Sequence, residues 1–378
     1  MEKQQPYIVF DHNIPEFWQN RFLNRAYMSQ FPGAISLTEL AEAAQNAGYQ
    51  VMTADVFLAN PTPAGVGFCI TEIGSKHTVD LLRRGVIPAI CTCGESPVIA
   101  FDFYHHLARY VGRYQHAFLF GGASERLIGT GVRFHPFFWP NASRQVTPGK
   151  PWPQRRGITL INSNKRAFQF RLEPFELRHP LNSLRKIYRY FLNLGIRYRD
   201  PWLRSDLYLE RLCAIEYFSH NPEFDLYGNG WDTPVQATDQ RYQQSIQKAY
   251  RGKIPAGVDN KVKVLQEYKF AICFENTSFP GYITEKLFDC FFAGCIPVYY
   301  GAPDIAEHVP ANAFIDFRDF QNYQQLEKYL LTMSAEDAAG YLQVAAEFLA
   351  SPAFDKFHVS DFTKQAMLAI EDVAKRHA

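Results

Sequence analysis

Between residues 261 and 303 the chain reads KVKVLQEYKFAICFENTSFPGYITEKLFDCFFAGCIPVYYGAP. An apolar, β-rich run over 270–274 ends in the polar pair Glu275–Asn276, and a Pro-Gly loop then leads into a helix beginning near Thr284. In open parallel sheets, ligands sit where strands end and helices begin, because loop residues and the unpaired N–H groups of helix N-termini converge there. Tyr282, Glu285 and Lys286 stand at that point. A tyrosine can stack on or hydrogen-bond a base, a glutamate can accept from ribose hydroxyls, and a lysine can neutralise a phosphate. Together they could read a nucleotide. The next strand, 295–300, closes on Gly301-Ala302-Pro303, a second strand-end loop facing the same crevice. A capped amphipathic helix with a charged first turn would account for Glu285, but not for Lys286 at a positive helix end or for the Glu-Asn pair at the strand end.

Those residues need a sheet to position them, and the chain supplies two series of β/α elements. Short β-rich runs at 6–10, 50–57 and 86–91 are separated by helical stretches around 38–47 and 76–84, which implies βαβ units. A Pro-rich, aperiodic stretch from Pro136 to Pro153 reads as a linker. A second series follows at 157–163, 224–228, 270–276, 295–301 and 313–317. The segments 323–350 and 360–376 are helical by period, with Ser334-x-x-Asp337 as a capping box. The expected division is 1–150, 151–350 and a helical tail at 351–378, within an α/β fold.

The chain has 378 residues, of which 39 are Lys or Arg and 38 Asp or Glu. That length suits two domains, and the balanced charge argues against a nucleic-acid-wrapping protein. Seven cysteines without a C-x-x-C pair read as reduced thiols, and no signal-peptide pattern or apolar run of membrane-spanning length is seen, so a cytoplasmic protein is expected. Neither Cys91-x-Cys93 nor His105-His106 makes a metal site by itself, and no Asp-x-Asp motif occurs, so no metal and no other cofactor is expected. From Lys165 to Arg211 eleven basic residues face five acidic ones, a local excess of six. This segment is either a solvated helical face or a patch for phosphates or for an anionic membrane surface, such as the inner membrane.

The block from Lys261 to Phe320, about sixty residues, closely resembles the signature of the family 10 glycosyltransferases, the α-1,3/1,4-fucosyltransferases, and especially their bacterial members acting on lipopolysaccharide. The resemblance implies a GT-B architecture, two Rossmann-like domains facing across a cleft, with GDP-fucose held by the C-terminal one. It implies that Tyr282, Glu285 and Lys286 contact the donor, with Glu285 at ribose and Lys286 at phosphate, and that Glu275 and Asn276 lie near it. Arg211, followed fourteen residues later by Asp225 and then by Tyr227-Gly228, matches a family element whose arginine grips the diphosphate. Ser163-Asn164 resembles a further element, and Lys165 or Arg166 competes for the phosphate role. Gly281 stands where many members carry Asp. Gly94-Glu95-Ser96-Pro97 resembles the element bearing the catalytic base, which makes Glu95 the base of an inverting transfer to a glycan hydroxyl, on N-acetylglucosamine. Two readings stay open beside this one: another nucleotide sugar on the same fold, and an inactive glycan- or nucleotide-binding homologue.

Overall fold

A computed structural model of the chain describes residues 5–147, 149–165, 180–203, 205–232 and 240–377. The first half builds a six-stranded parallel sheet from β1 (Tyr7–Asp11), β2 (Gln50–Thr53), β3 (Gly67–Glu72), β4 (Ile87–Thr92), β5 (His116–Leu119) and β6 (Arg133–Pro136), in the order β2-β1-β3-β4-β5-β6. The second half builds another from β7 (Arg156–Ile161), β8 (Phe224–Tyr227), β9 (Tyr250–Gly252), β10 (Tyr268–Phe274), β11 (Ile296–Tyr300) and β12 (Ile315–Asp316), ordered β12-β11-β10-β7-β8-β9. The central strands YIVFD and YKFAICF are apolar almost throughout and buried, because helices cover both faces of a parallel sheet.

The helices that bear on the site are α1 (Ile35–Asn46), α2 (Thr78–Arg83), α3 (Pro180–Arg199), α4 (Tyr208–Phe218), α5 (Val258–Leu265), α6 (Glu285–Ala293), α7 (Tyr323–Thr332), α8 (Ala335–Ala350) and α9 (Val359–His377). The capping box expected at Ser334 and Asp337 starts α8 with both reciprocal bonds formed. The strand expected over 50–57 stops at Thr53, and Ala54–Ala59 is helical. Asn20 Oδ1 accepts from both the N–H and the hydroxyl of Thr53, which ends the strand, and Asp55 suits the first turn of the helix that follows.

The last helix does not stay with the second sheet. Ala366, Ala369, Ile370 and Val373 of α9 share one buried cluster with the strands of the first sheet, so the chain crosses back before it ends. The crossing is fixed at Asn141, whose N–H donates to the carbonyl of Phe357 (2.8 Å) and whose carbonyl accepts from the N–H of Val359 (3.0 Å). A second junction lies at Gly281, with φ +74°, where a Cβ would sit 2.7 Å from the Gly121 nitrogen. Only glycine permits the two halves to approach this closely. Next to it the ring of Tyr282 meets that of Phe120 edge-on at 4.8 Å.

Candidate active site

In each sheet the strand order reverses beside its first strand, at β1/β3 and at β7/β10, and loops leaving such points form crevices beyond the strands' carboxyl ends. A cleft of about 390 Å³ opens there between the halves. Glu95 lines it from the first half, and Asn162, Ser163 and Lys165 after β7, Asn276 after β10, and Thr284–Lys286 at the start of α6 line it from the second.

Glu275 organises the second wall. It is fully buried, and its carboxylate accepts from the N–H of Thr284 (2.8 Å), from the Thr284 hydroxyl (2.9 Å) and from Lys286 Nζ (3.1 Å). The strand end thereby caps α6, whose own N-cap residue Thr284 makes no capping bond with its side chain. Room for this carboxylate depends on Gly301, since a Cβ there would lie 2.5 Å from Glu275 Cγ and would overlap the Tyr299 hydroxyl. Glu275, expected beside the donor, therefore acts through Thr284 and Lys286 and does not itself line the cleft.

Asn276 does line it, with Oδ1 accepting from Arg211 Nη2 (2.9 Å) and Nδ2 reaching the Tyr282 hydroxyl (3.2 Å). Tyr282 also lines the cleft but is only 2% exposed, so little of its ring is open there. Arg211 is 2% exposed too, with Nε and Nη2 donating to the carbonyl of Phe274 (3.1 and 2.6 Å). Its Nη1 and the hydroxyl of neighbouring Tyr208 are buried without a hydrogen-bond partner among the described residues. Burial pulls the Arg211 pKa down, against the attraction of Tyr208 and Glu275. A buried cation with an unused donor is costly unless an anion meets it.

Glu285 is half-buried, and although desolvation pushes its pKa up, Lys286, Lys261 and the helix-terminal N–H outweigh it and hold the carboxyl at about 2. Lys261, absent from the sequence-based assignment, lies 2.7 Å from Asp289. Glu95 behaves oppositely: burial raises its pKa above the ordinary carboxylate value, Lys165 and Lys286 oppose the rise, and Glu72 and Glu285 add to it. Its carbonyl accepts from the Tyr104 hydroxyl (3.1 Å), which fixes the turn after β4. Lys165 is in the cleft wall, whereas Arg166 and the rest of 166–179 lie outside the described residues. Cys91 and Cys93 are core thiols whose pKa values burial drives up. Trp139 also lines the cleft, although it sits in a stretch that reads only as linker. Its signal, an aromatic among prolines, is too common to single out.

Two facing parallel-sheet domains with a polar cleft over their strand ends define a GT-B fold. The model for glycosyltransferase family 10 (fucosyltransferase), C-terminal part, matches residues 210–346. An α-(1,3)-fucosyltransferase of Helicobacter pylori is 39% identical over 80 residues, covering 21% of this chain and 17% of that protein. α-(1,3)-Fucosyltransferase B of Drosophila melanogaster is 41% identical over 88 residues, covering 23% and 19%. The aligned stretches thus span less than a fifth of these relatives. A solved α1,3-fucosyltransferase with GDP shares the fold at TM-score 0.50 and 13% identity, covering 99% of this chain and 92% of that one. A sucrose-phosphate synthase from Thermosynechococcus elongatus does so at TM-score 0.58 and 10% identity, covering 99% and 100%.

Gly301→Ala is expected to cost about 1–3 kcal/mol of stability through overpacking. Urea unfolding checks this.

Proposed function

We propose that the protein is an inverting fucosyltransferase that moves L-fucose from GDP-β-L-fucose to a hydroxyl of a glycan acceptor, forming an α-1,3 or α-1,4 linkage. The supporting observation is the pairing across one cleft of a carboxyl group with a raised pKa, Glu95, and a cationic helix start, Lys286 on α6. Glu95 takes the proton of the acceptor hydroxyl while that oxygen attacks C1 of fucose from the face opposite GDP. The C1–O bond to the diphosphate breaks as the new C–O bond forms, and GDP departs with the electron pair. Lys286 and the N-terminal amides of α6 meet the charge that develops on the leaving oxygen, and the buried Arg211 adds its positive charge from behind Asn276, to whose Oδ1 it donates. Glu285, ionised and near the helix start, suits two ribose hydroxyls. With three cationic or dipolar partners in place, we read the transfer as independent of a divalent ion. N-acetylglucosamine in a lipopolysaccharide-type glycan is the acceptor we favour.

Calorimetric titration in EDTA tests the donor. GDP and GDP-fucose should bind, UDP-N-acetylglucosamine should not, and Lys286→Ala should lose the binding. Absence of GDP binding in the unaltered protein would end this reading.

Glu95→Gln should lower turnover by about 10²–10⁴-fold while GDP affinity stays constant. A base works deprotonated, so activity should rise with pH through a pKa above the usual carboxylate range, and this acidic limb should vanish in Glu95→Gln. A limb unchanged in the variant would assign the base elsewhere.

For location we favour the cytoplasmic side of an anionic membrane. Helix α3 carries five Lys or Arg and no acid, and Leu184 and Tyr188 on it are exposed (54% and 67%). Among the described residues no helix is long and apolar enough to cross a membrane. Co-sedimentation with phosphatidylglycerol vesicles should appear at low salt and weaken at high salt. Binding to neutral vesicles alone would contradict the electrostatic part.

A further inference from the structure

We propose that Trp139 is the platform of the acceptor subsite, and that the groove beyond it takes a neutral oligosaccharide longer than the reacting sugar. The proposal rests on the fucosyl-transfer reading, which supplies an acceptor but does not say where it lies. The indole lies between two glycines: a Cβ on Gly94 would be 3.5 Å from its Cζ3, and one on Gly33 would be 2.7 Å from its Cζ2. It therefore rests against the residue that immediately precedes the base Glu95. A sugar laid on this ring has its hydroxyls within the neighbourhood of that carboxylate.

Trp139 is also a wall shared by two cavities. One is the donor cleft, and the other is a groove of about 780 Å³ between residues 28–35 of the first half and 256–263 of the second. The groove is twice the volume of the donor cleft and lies in the upper part of the range for ligand sites, roughly 300–1,000 Å³. Its polar lining mixes Ser29, Gln30, Asn141, Ser143 and Asn260, which offer hydroxyl and amide groups, with the opposed charges of Asp259, Lys261, Lys263, Glu285 and Asp289. The Lys261 charge is met by Asp289 at 2.7 Å. Amides and hydroxyls paired with an indole face match a ligand that has hydroxyl edges and an apolar C–H face, which describes a pyranose chain. The indole N–H of Trp139 has no hydrogen-bond partner among the described residues, while its carbonyl is anchored by Asn141 Nδ2 at 2.9 Å. The platform is held in place with its donor unspent.

The test uses the full chain with GDP-fucose and a ladder of acceptors: methyl β-N-acetylglucosaminide, chitobiose and chitotetraose. Transfer and acceptor-independent hydrolysis of GDP-fucose are measured for the unaltered protein, Trp139→Ala and Trp139→Phe. We expect kcat/KM to rise at least tenfold from the monosaccharide to the tetrasaccharide. Trp139→Ala should raise the tetrasaccharide KM at least tenfold, well beyond any change in GDP affinity, and Trp139→Phe should restore most of the transfer. A flat ladder, hydrolysis without transfer to any length, or a Trp139→Ala loss of GDP affinity equal to the loss of transfer would each overturn the proposal while the donor reading stands. No binding or hydrolysis of GDP-fucose by the unaltered protein would instead remove the donor reading itself, and this proposal with it.

Discussion

The buried carboxylate of Glu275 is the constraint on which the second wall of the cleft depends. It ties the end of β10 to the start of α6, so the sheet and the helix cannot shift against each other without breaking three hydrogen bonds. A carboxylate with no exposure is expensive to bury, and it is tolerated because two neutral donors and one cation satisfy it. Removing one partner of such a pair typically costs about 3–5 kcal/mol, since the other charge is left stranded. Lys286 is consequently held at the helix start at 14% side-chain exposure, where an anion would need to arrive. The same logic explains Gly301, which exists to leave Glu275 its space.

The proposed transfer also requires that the first half hold Glu95 opposite this wall. Two features provide this. The Gly281 turn lets the chain backbones nearly touch, with Tyr282 packed on Phe120, so a residue of the donor motif is part of the first half's core. Helix α9 crosses back through the Asn141 pairing and buries its apolar stripe under the first sheet. In this arrangement Gly281 has a steric role.

How much of this was legible in the sequence follows from which forces set each feature. The β10–α6–β11 block was legible because its strands are continuously apolar and its polar residues fall at their ends. The roles of Glu275 and Tyr282 were not, because sequence shows that a polar residue follows a strand but not whether its atoms face the cleft or a neighbouring helix. Arg211 is similar: its place before Asp225 was readable, its two bonds to the Phe274 carbonyl were not. Four strands, β3, β5, β6 and β9, were not anticipated. β5, β6 and β9 are three or four residues long, and β6 ends in proline at a sheet edge. β3 opens on Gly67, which reads as a break, yet is needed because the ring of Tyr7 occupies the space of a Cβ. Trp139 owes its position to two distant glycines, a relation that exists only after folding.

The most direct measurement of the central claim is the crystal structure of the complex with GDP. The account predicts the diphosphate at the start of α6, with one oxygen within hydrogen-bonding distance of Lys286 Nζ. A diphosphate held by Lys165 and away from Lys286, or a nucleotide lying in the groove beside Trp139, would contradict it.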